Sequence, residues 1–218
     1  MKRPVLIAAL IGVLAGLFVL PRALAAARVE GGPKLEGGVK FGFNLAFIRG
    51  ADVDLFPYND SDWVMRFGLC GGGYVALPLS RNLAIQAEAL ITTKGSKEVG
   101  YLFEENYLYS LMITYLEIPV LLRVTTGSIL GGSSLVFMFG PALAFKLHSR
   151  FMGGGEVLDF NGVRSNDLGL VFSFGYVIRS RGYTEFRYTA GMDNIIEEGG
   201  VPLNIKNGVV SVIVGFRF

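Results

Sequence analysis

The chain has 218 residues, 51% of them hydrophobic and 30 of them glycine, and its formal net charge is +2. Its 20 bases and 18 acids are too evenly balanced to argue for a nucleic-acid partner, and with Cys70 as its one cysteine it can form no intrachain disulfide. The small positive excess comes from the first 27 residues, which hold Lys2, Arg3 and Arg22 and no acid, leaving 17 bases against 18 acids beyond them.

The first element in chain order is a leader. Lys2 and Arg3 precede an unbroken apolar run from Val5 to Leu20, Pro21 and Arg22 end it, and Ala23-Leu24-Ala25-Ala26-Ala27 supplies small residues. This is the order of a secretory signal peptide, and the run is shorter than the roughly twenty residues of a spanning helix. We expect residues 1–27 to be a signal peptide cleaved after Ala25 or Ala27, and residues 28–218 to form one domain.

Eight segments beyond the leader alternate with period two, the signature of strands. In Gly38 to Ile48, Val39, Phe41, Phe43, Leu45 and Phe47 oppose Lys40, Gly42, Asn44 and Ala46. The same alternation marks Met65 to Leu77, with Phe67 and Leu69 opposing Arg66, Gly68 and Cys70, and Leu83 to Lys94, with Ile85 and Ile91 opposing Gln86 and Glu88. The fourth segment, Tyr107 to Val124, has Leu116, Ile118, Val120 and Leu122 against Glu117, Pro119, Leu121 and Arg123. Upstream, Leu111, Ile113 and Tyr115 share the parity of Glu117, so a bulge is expected there, with distortion at Pro119, which lacks an N–H. Leu135 to Leu147, Asp167 to Ile178, Tyr183 to Asp193 and Lys206 to Phe218 complete the set.

The connectors alternate in length. Segments 49–64, 95–106, 148–166 and 194–206 are long, while 78–82, 125–134 and 179–182 are shorter. Outer-membrane barrels carry long loops on one side and short turns on the other. The expected fold is therefore all-β: an eight-stranded antiparallel up-and-down transmembrane barrel in the outer membrane of a Gram-negative bacterium. Charges within the strands sit on the less apolar parity, where Arg66, Glu88, Glu117, Arg123, Lys146, Glu185, Arg187 and Arg217 would form an interior ion network. Acids Glu88, Glu117 and Glu185 are expected to meet Arg66, Arg123, Arg187 or Arg217. Phe216 and Phe218 stand where a C-terminal assembly signal for the barrel-assembly machinery would be.

The stretch Gly37-Gly38-Val39-Lys40-Phe41-Gly42-Phe43-Asn44-Leu45 resembles the opening strand of the PorT family of outer-membrane β-barrel domains, common in Bacteroidetes. Tyr115-Leu116-Glu117-Ile118-Pro119-Val120-Leu121-Leu122 is similar to a signature of that family, and Phe139-Gly140-Pro141, Glu185-Phe186-Arg187-Tyr188 and Gly215-Phe216-Arg217-Phe218 fit as well. The resemblance spans residues 37 to 218, implies a small barrel, and gives Pro119 a precedent. It carries no functional motif to individual residues.

Other candidates reduce to ordinary readings. His148 and Ser149 are adjacent, so on a strand they point to opposite faces and are poorly placed as base and nucleophile. Asp52, Asp54, Asp60 and Asp62 match no calcium-loop spacing, and Phe56, Tyr58 and Trp63 suit a rim girdle. Met152-Gly153-Gly154-Gly155 precedes no helix and cannot cradle a phosphate. The sequence therefore predicts no catalytic, cofactor-binding or metal residues. It predicts a monomeric barrel in outer-membrane lipid whose long loops meet an extracellular or envelope partner. The alternatives are a narrow porin-like channel and a lipid-modifying barrel enzyme.

Overall fold

The structure, a computed structural model, describes residues 35–51, 62–102, 105–126, 133–153, 156–159, 162–178, 181–198 and 201–218. Its strands are β1 (Glu36–Arg49), β2 (Asp62–Pro78), β3 (Leu83–Leu102), β4 (Glu105–Thr125), β5 (Ser134–Gly153), β6 (Glu156–Asp159), β7 (Asn166–Ile178), β8 (Gly182–Gly191), β9 (Ile196–Glu198), β10 (Val201–Leu203) and β11 (Lys206–Arg217). Neighbours β1, β2, β3, β4, β5, β7, β8 and β11 pair antiparallel in that order. The ring closes where β1 meets β11, from Gly38 opposite Arg217 to Arg49 opposite Lys206. Closure satisfies the edge donors and acceptors that an open sheet would leave in hydrocarbon.

Alternation divides every strand between two environments. Phe41, Phe43, Phe67, Phe139, Phe172 and Phe186 point outward and are about half exposed, while Lys40, Asn44, Gln86, Glu88, Glu185 and Arg187 point inward and are buried. Small inward residues let backbones approach closely. A Cβ at Gly72 would lie 1.9 Å from the Ala89 carbonyl oxygen, and one at Gly140 would lie 2.2 Å from that of Val120.

The turns between β2 and β3, β4 and β5, and β7 and β8 lie at the end where the described chain begins and stops, tied by Phe218 N donating to Gly37 O at 3.0 Å. At the opposite end the expected long connectors are partly strand. β3 and β4 continue as a paired ribbon until Leu102 faces Glu105, replacing the expected 95–106 connector. β5 runs on to Gly153 and β6 folds back on it, and β9 and β10 form a small hairpin inside the 194–206 connector. Backbone groups that leave the lipid still gain from ladder partners, so polar alternation such as Ser96-Lys97-Glu98 continues the strand rather than ending it.

The fourth strand also differs from expectation. Its parity does not switch: Leu111, Ile113 and Tyr115 are buried on the same inner side as Glu117, because the lumen is apolar at that level. Register shifts occur elsewhere, in β2 between Met65 and Cys70, and in β5 opposite Thr114 and Tyr115, where Leu147 is the extra residue. At Pro119 the β3–β4 ladder skips Ile118 and Pro119 and resumes in the same register, the local cost of a missing N–H.

The topology is checked by tags on intact cells. Tags placed in residues 153–162 should be cut by added protease, and tags beside Arg81 or Arg181 should be protected; the reverse pattern would invert the orientation.

Candidate functional site

Eight strands enclose a lumen just wide enough for side chains to fill, so the interior is the first place to look for chemistry. It is built in layers. At the short-turn mouth, Arg123 and Arg217 share Glu36: Arg123 Nη2 contacts Glu36 Oε2, and Arg217 Nη1 lies 3.1 Å from Oε1. Arg123 Nη1 also donates to Gln86 Oε1 at 3.2 Å. These groups line a cavity of about 210 Å³ that includes Arg81, Arg181, Tyr74 and Tyr183.

The next layer is a closed ring of four charges. Lys40 Nζ lies 2.5 Å from Glu88 Oε1 and 2.8 Å from Glu185 Oε2. Arg187 Nη1 lies 2.8 Å from Glu88 Oε2, and its Nε donates to Glu185 Oε1 at 2.7 Å. All four side chains are 2% exposed or less, and two cations balance two carboxylates. Lys40 also sits 5.5 Å and 5.4 Å from the ring centroids of Tyr74 and Tyr183. Matched charge and close pairing are what make buried ions tolerable.

Above it, Asn44 bridges strands, donating to Thr92 Oγ1 at 2.8 Å and accepting from Ser211 Oγ at 2.8 Å. Lys94 Nζ then lies 2.5 Å from Glu117 Oε2 and 3.9 Å from Asp167 Oδ2, and Asn207 Nδ2 donates to Asp167 Oδ2 at 2.8 Å. The long-connector end is sealed by hydrocarbon. Val163, Ile195 and Ile205, all from connectors, pack with Ile48, Leu111, Ile113 and Tyr115. Backbone bonds hold this cap down: Lys146 N to Ser165 O at 2.7 Å, Arg164 N to Ile195 O at 2.9 Å, and Ile195 N to Ile205 O at 2.8 Å.

Of the residues assigned to the interior network, Glu88, Glu185 and Arg187 come together in one cluster. Glu117 meets Lys94 rather than an arginine, because both project into the same narrow level, where a lysine reaches across. Arg123 and Arg217 meet Glu36. Arg66 is near the far rim, and among the described residues it donates to Ser110 Oγ and Phe67 O, each at 3.3 Å. Lys146 donates to the Val163 carbonyl and so holds the cap. Lys40, Lys94, Asp167 and Glu36 were missing from the sequence-derived network. Inward parity was signal enough for Lys40 and Lys94, but Glu36 and Asp167 stand at strand starts, where parity has no run to be read from.

Phe216 and Phe218 face outward, 47% and 55% exposed. His148 Nε2 accepts from Arg150 Nε at 2.5 Å and lies 3.6 Å from Asp159 Oδ1, while Ser149 is buried and pairs opposite inward-facing Ile113. The two side chains are on opposite sides of the wall. Asp52, Asp54, Asp60, Phe56, Tyr58, Gly154 and Gly155 lie outside the described residues, as do the side chains of Asp62 and Trp63 and the leader.

Removing one member of the central cluster leaves a buried charge unpaired. Glu88→Ala should lower unfolding stability by about 3–5 kcal/mol, whereas Asp159→Ala on the exposed rim should change it by less than about 0.5 kcal/mol. Urea midpoints from heat-modifiable gel mobility measure both, and equal shifts would mean the cluster is solvated.

Residues 28–197 match the family described as outer membrane protein beta-barrel domain. No curated protein matches the chain. Among solved structures, it is similar to Ail of Yersinia pestis, with 12% identity over 84% of this chain and 99% of that one and a TM-score of 0.43. It is also similar to OprG of Pseudomonas aeruginosa, with 12% identity over 84% and 94% and a TM-score of 0.43. Neisserial surface protein A matches with 11% identity over 84% and 97% and a TM-score of 0.44. With a closed eight-stranded ring, an apolar outer face and a family match covering most of its length, the chain belongs to the outer membrane protein beta-barrel domain family and is a small integral protein of the Gram-negative outer membrane.

Proposed function

We propose that this barrel is a surface-presenting scaffold with an interaction role, neither a conduit nor an enzyme. The observation that carries this reading is the unequal length of its wall. β2, β3, β4 and β5 have 17, 20, 21 and 20 residues, against 14, 13, 10 and 12 in β1, β7, β8 and β11. A strand crosses the bilayer in about 9–11 residues. Half the wall therefore has roughly six to twelve residues per strand more than lipid requires, and the short-turn rule directs that excess to the cell exterior. From Lys94 to Leu102 alone, β3 extends about 27 Å along its path at roughly 3.4 Å per residue. A projecting paired sheet carries surface beyond the bilayer, which suits docking to an extracellular or envelope partner.

The sealed lumen supports the same reading against the channel alternative. Two ionic layers and an apolar cap stand in series between the mouth and the exterior. Against the enzyme alternative, His148 and Ser149 face opposite sides and do not assemble as base and nucleophile. Within the broader family, we assign the chain to the PorT-type barrels on the Leu116-Glu117-Ile118-Pro119 stretch and the closing Gly215-Phe216-Arg217-Phe218. Residues 1–27 act as the export signal and residues 28–218 as the barrel domain, with Phe216 and Phe218 read by the assembly machinery and the product a monomer.

Planar-bilayer recording of the purified protein tests the scaffold reading. No steady conductance is expected. Large, stable, reproducible open steps would overturn it in favour of a channel.

A further inference from the structure

We propose that the periplasmic mouth of the barrel is a binding site for a small multivalent oxyanion, a phosphate or a cluster of carboxylates. It lies at the opposite end from the projecting wall and goes beyond the scaffold role. The mouth holds a cavity of about 210 Å³, roughly seven times the share of liquid volume taken by one water. That is room for a molecule the size of pyrophosphate or a small tricarboxylate.

The charge around the cavity is predominantly positive: Arg81, Arg123, Arg181 and Arg217 line it, with Glu36 the one carboxylate among the described lining residues. Guanidinium groups keep their charge and offer donors in a planar fork that matches phosphate and carboxylate oxygens. The next layer is balanced by comparison, with the cations Lys40 and Arg187 against the carboxylates Glu88 and Glu185.

The frame is rigid. Arg123 and Arg217 are strand residues held toward Glu36. Arg81 and Arg181 stand on tight turns, the first closed by Leu79 N to Leu83 O at 2.8 Å, the second tied to β11 by Arg217 N to Arg181 O at 2.7 Å. The guanidinium groups outnumber the carboxylates among the described lining residues, and an oxyanion supplies both the acceptors they lack and the missing charge. Phosphates of soluble or lipid-derived molecules and carboxylates of cell-wall peptides share this chemistry and reach the periplasmic side.

The test is isothermal titration calorimetry of the full barrel in zwitterionic detergent with pyrophosphate, citrate and glycerol, at about 150 mM salt, where the screening length is about 8 Å. Saturable one-site binding of pyrophosphate or citrate, with none for glycerol, is expected; the tighter of the two identifies the phosphate or the carboxylate source. The double change Arg81→Gln and Arg181→Gln should weaken binding at least about tenfold with heat-modifiable mobility unchanged. The charge-retaining pair Arg81→Lys and Arg181→Lys, which removes the planar forks, should still weaken it by about threefold or more, which diffuse surface charge would not produce. Failure of both anions to saturate, glycerol binding equally, or unchanged affinity in either double variant would overturn the site.

Discussion

In hydrocarbon, every backbone N–H and C=O must find its partner inside the protein, and the ladder between β1 and β11 is where this chain meets that demand. With Gly38 to Arg49 paired against Arg217 to Lys206, the first and last barrel strands cease to be edges. Closure at eight strands then sets the lumen diameter, and the diameter decides what the inner face can hold. An aqueous pore does not fit once side chains as large as Tyr115, Lys40 and Arg187 point inward. Gly72 and Gly140 show the same constraint from the opposite side, since a Cβ at either would meet a neighbouring strand's carbonyl oxygen.

A lumen this narrow excludes bulk water from its charges, so they must neutralise one another. Lys40 and Arg187 each reach both Glu88 and Glu185, and every one of the four is held by partners on other strands. The contacts join β1, β3 and β8 across the barrel, far apart in sequence. The polar interior thus selects one register, because a one-residue slip would turn these charges toward lipid. Toward the exterior the same narrowness is met with apolar packing, as Val163, Ile195 and Ile205 return from the connectors to cover Ile113 and Tyr115. Among the described residues the short-turn mouth keeps a cavity of about 210 Å³, and arginines gather there.

Beyond the lipid the constraint on length disappears, and the two halves of the wall part company. β1, β7, β8 and β11 stop near the cap, whereas β2 to β5 keep pairing, and β5 gains β6 as an added partner. The barrel therefore serves as an anchor for an asymmetric sheet.

Much of this was legible in the residues alone. Period-two alternation in stretches such as Phe41-Gly42-Phe43-Asn44-Leu45 depends only on which side meets lipid, so strand existence, facing and the eight-strand ring followed from local pattern. Inward parity likewise placed Glu88, Glu185 and Arg187 on the inner side, and the same parity was available for Lys40 and Lys94. Tertiary structure alone decided the partners: Glu117 with Lys94, Arg123 and Arg217 with Glu36, and Lys146 with the cap. It also decided that Leu111, Ile113 and Tyr115 face inward, and that residues near 95–106 stay in a ladder. The physical reason is that alternation is a property of one strand, whereas pairing depth, lumen level and the return of Ile195 and Ile205 into the barrel depend on the register among strands distant in sequence, which no local pattern encodes.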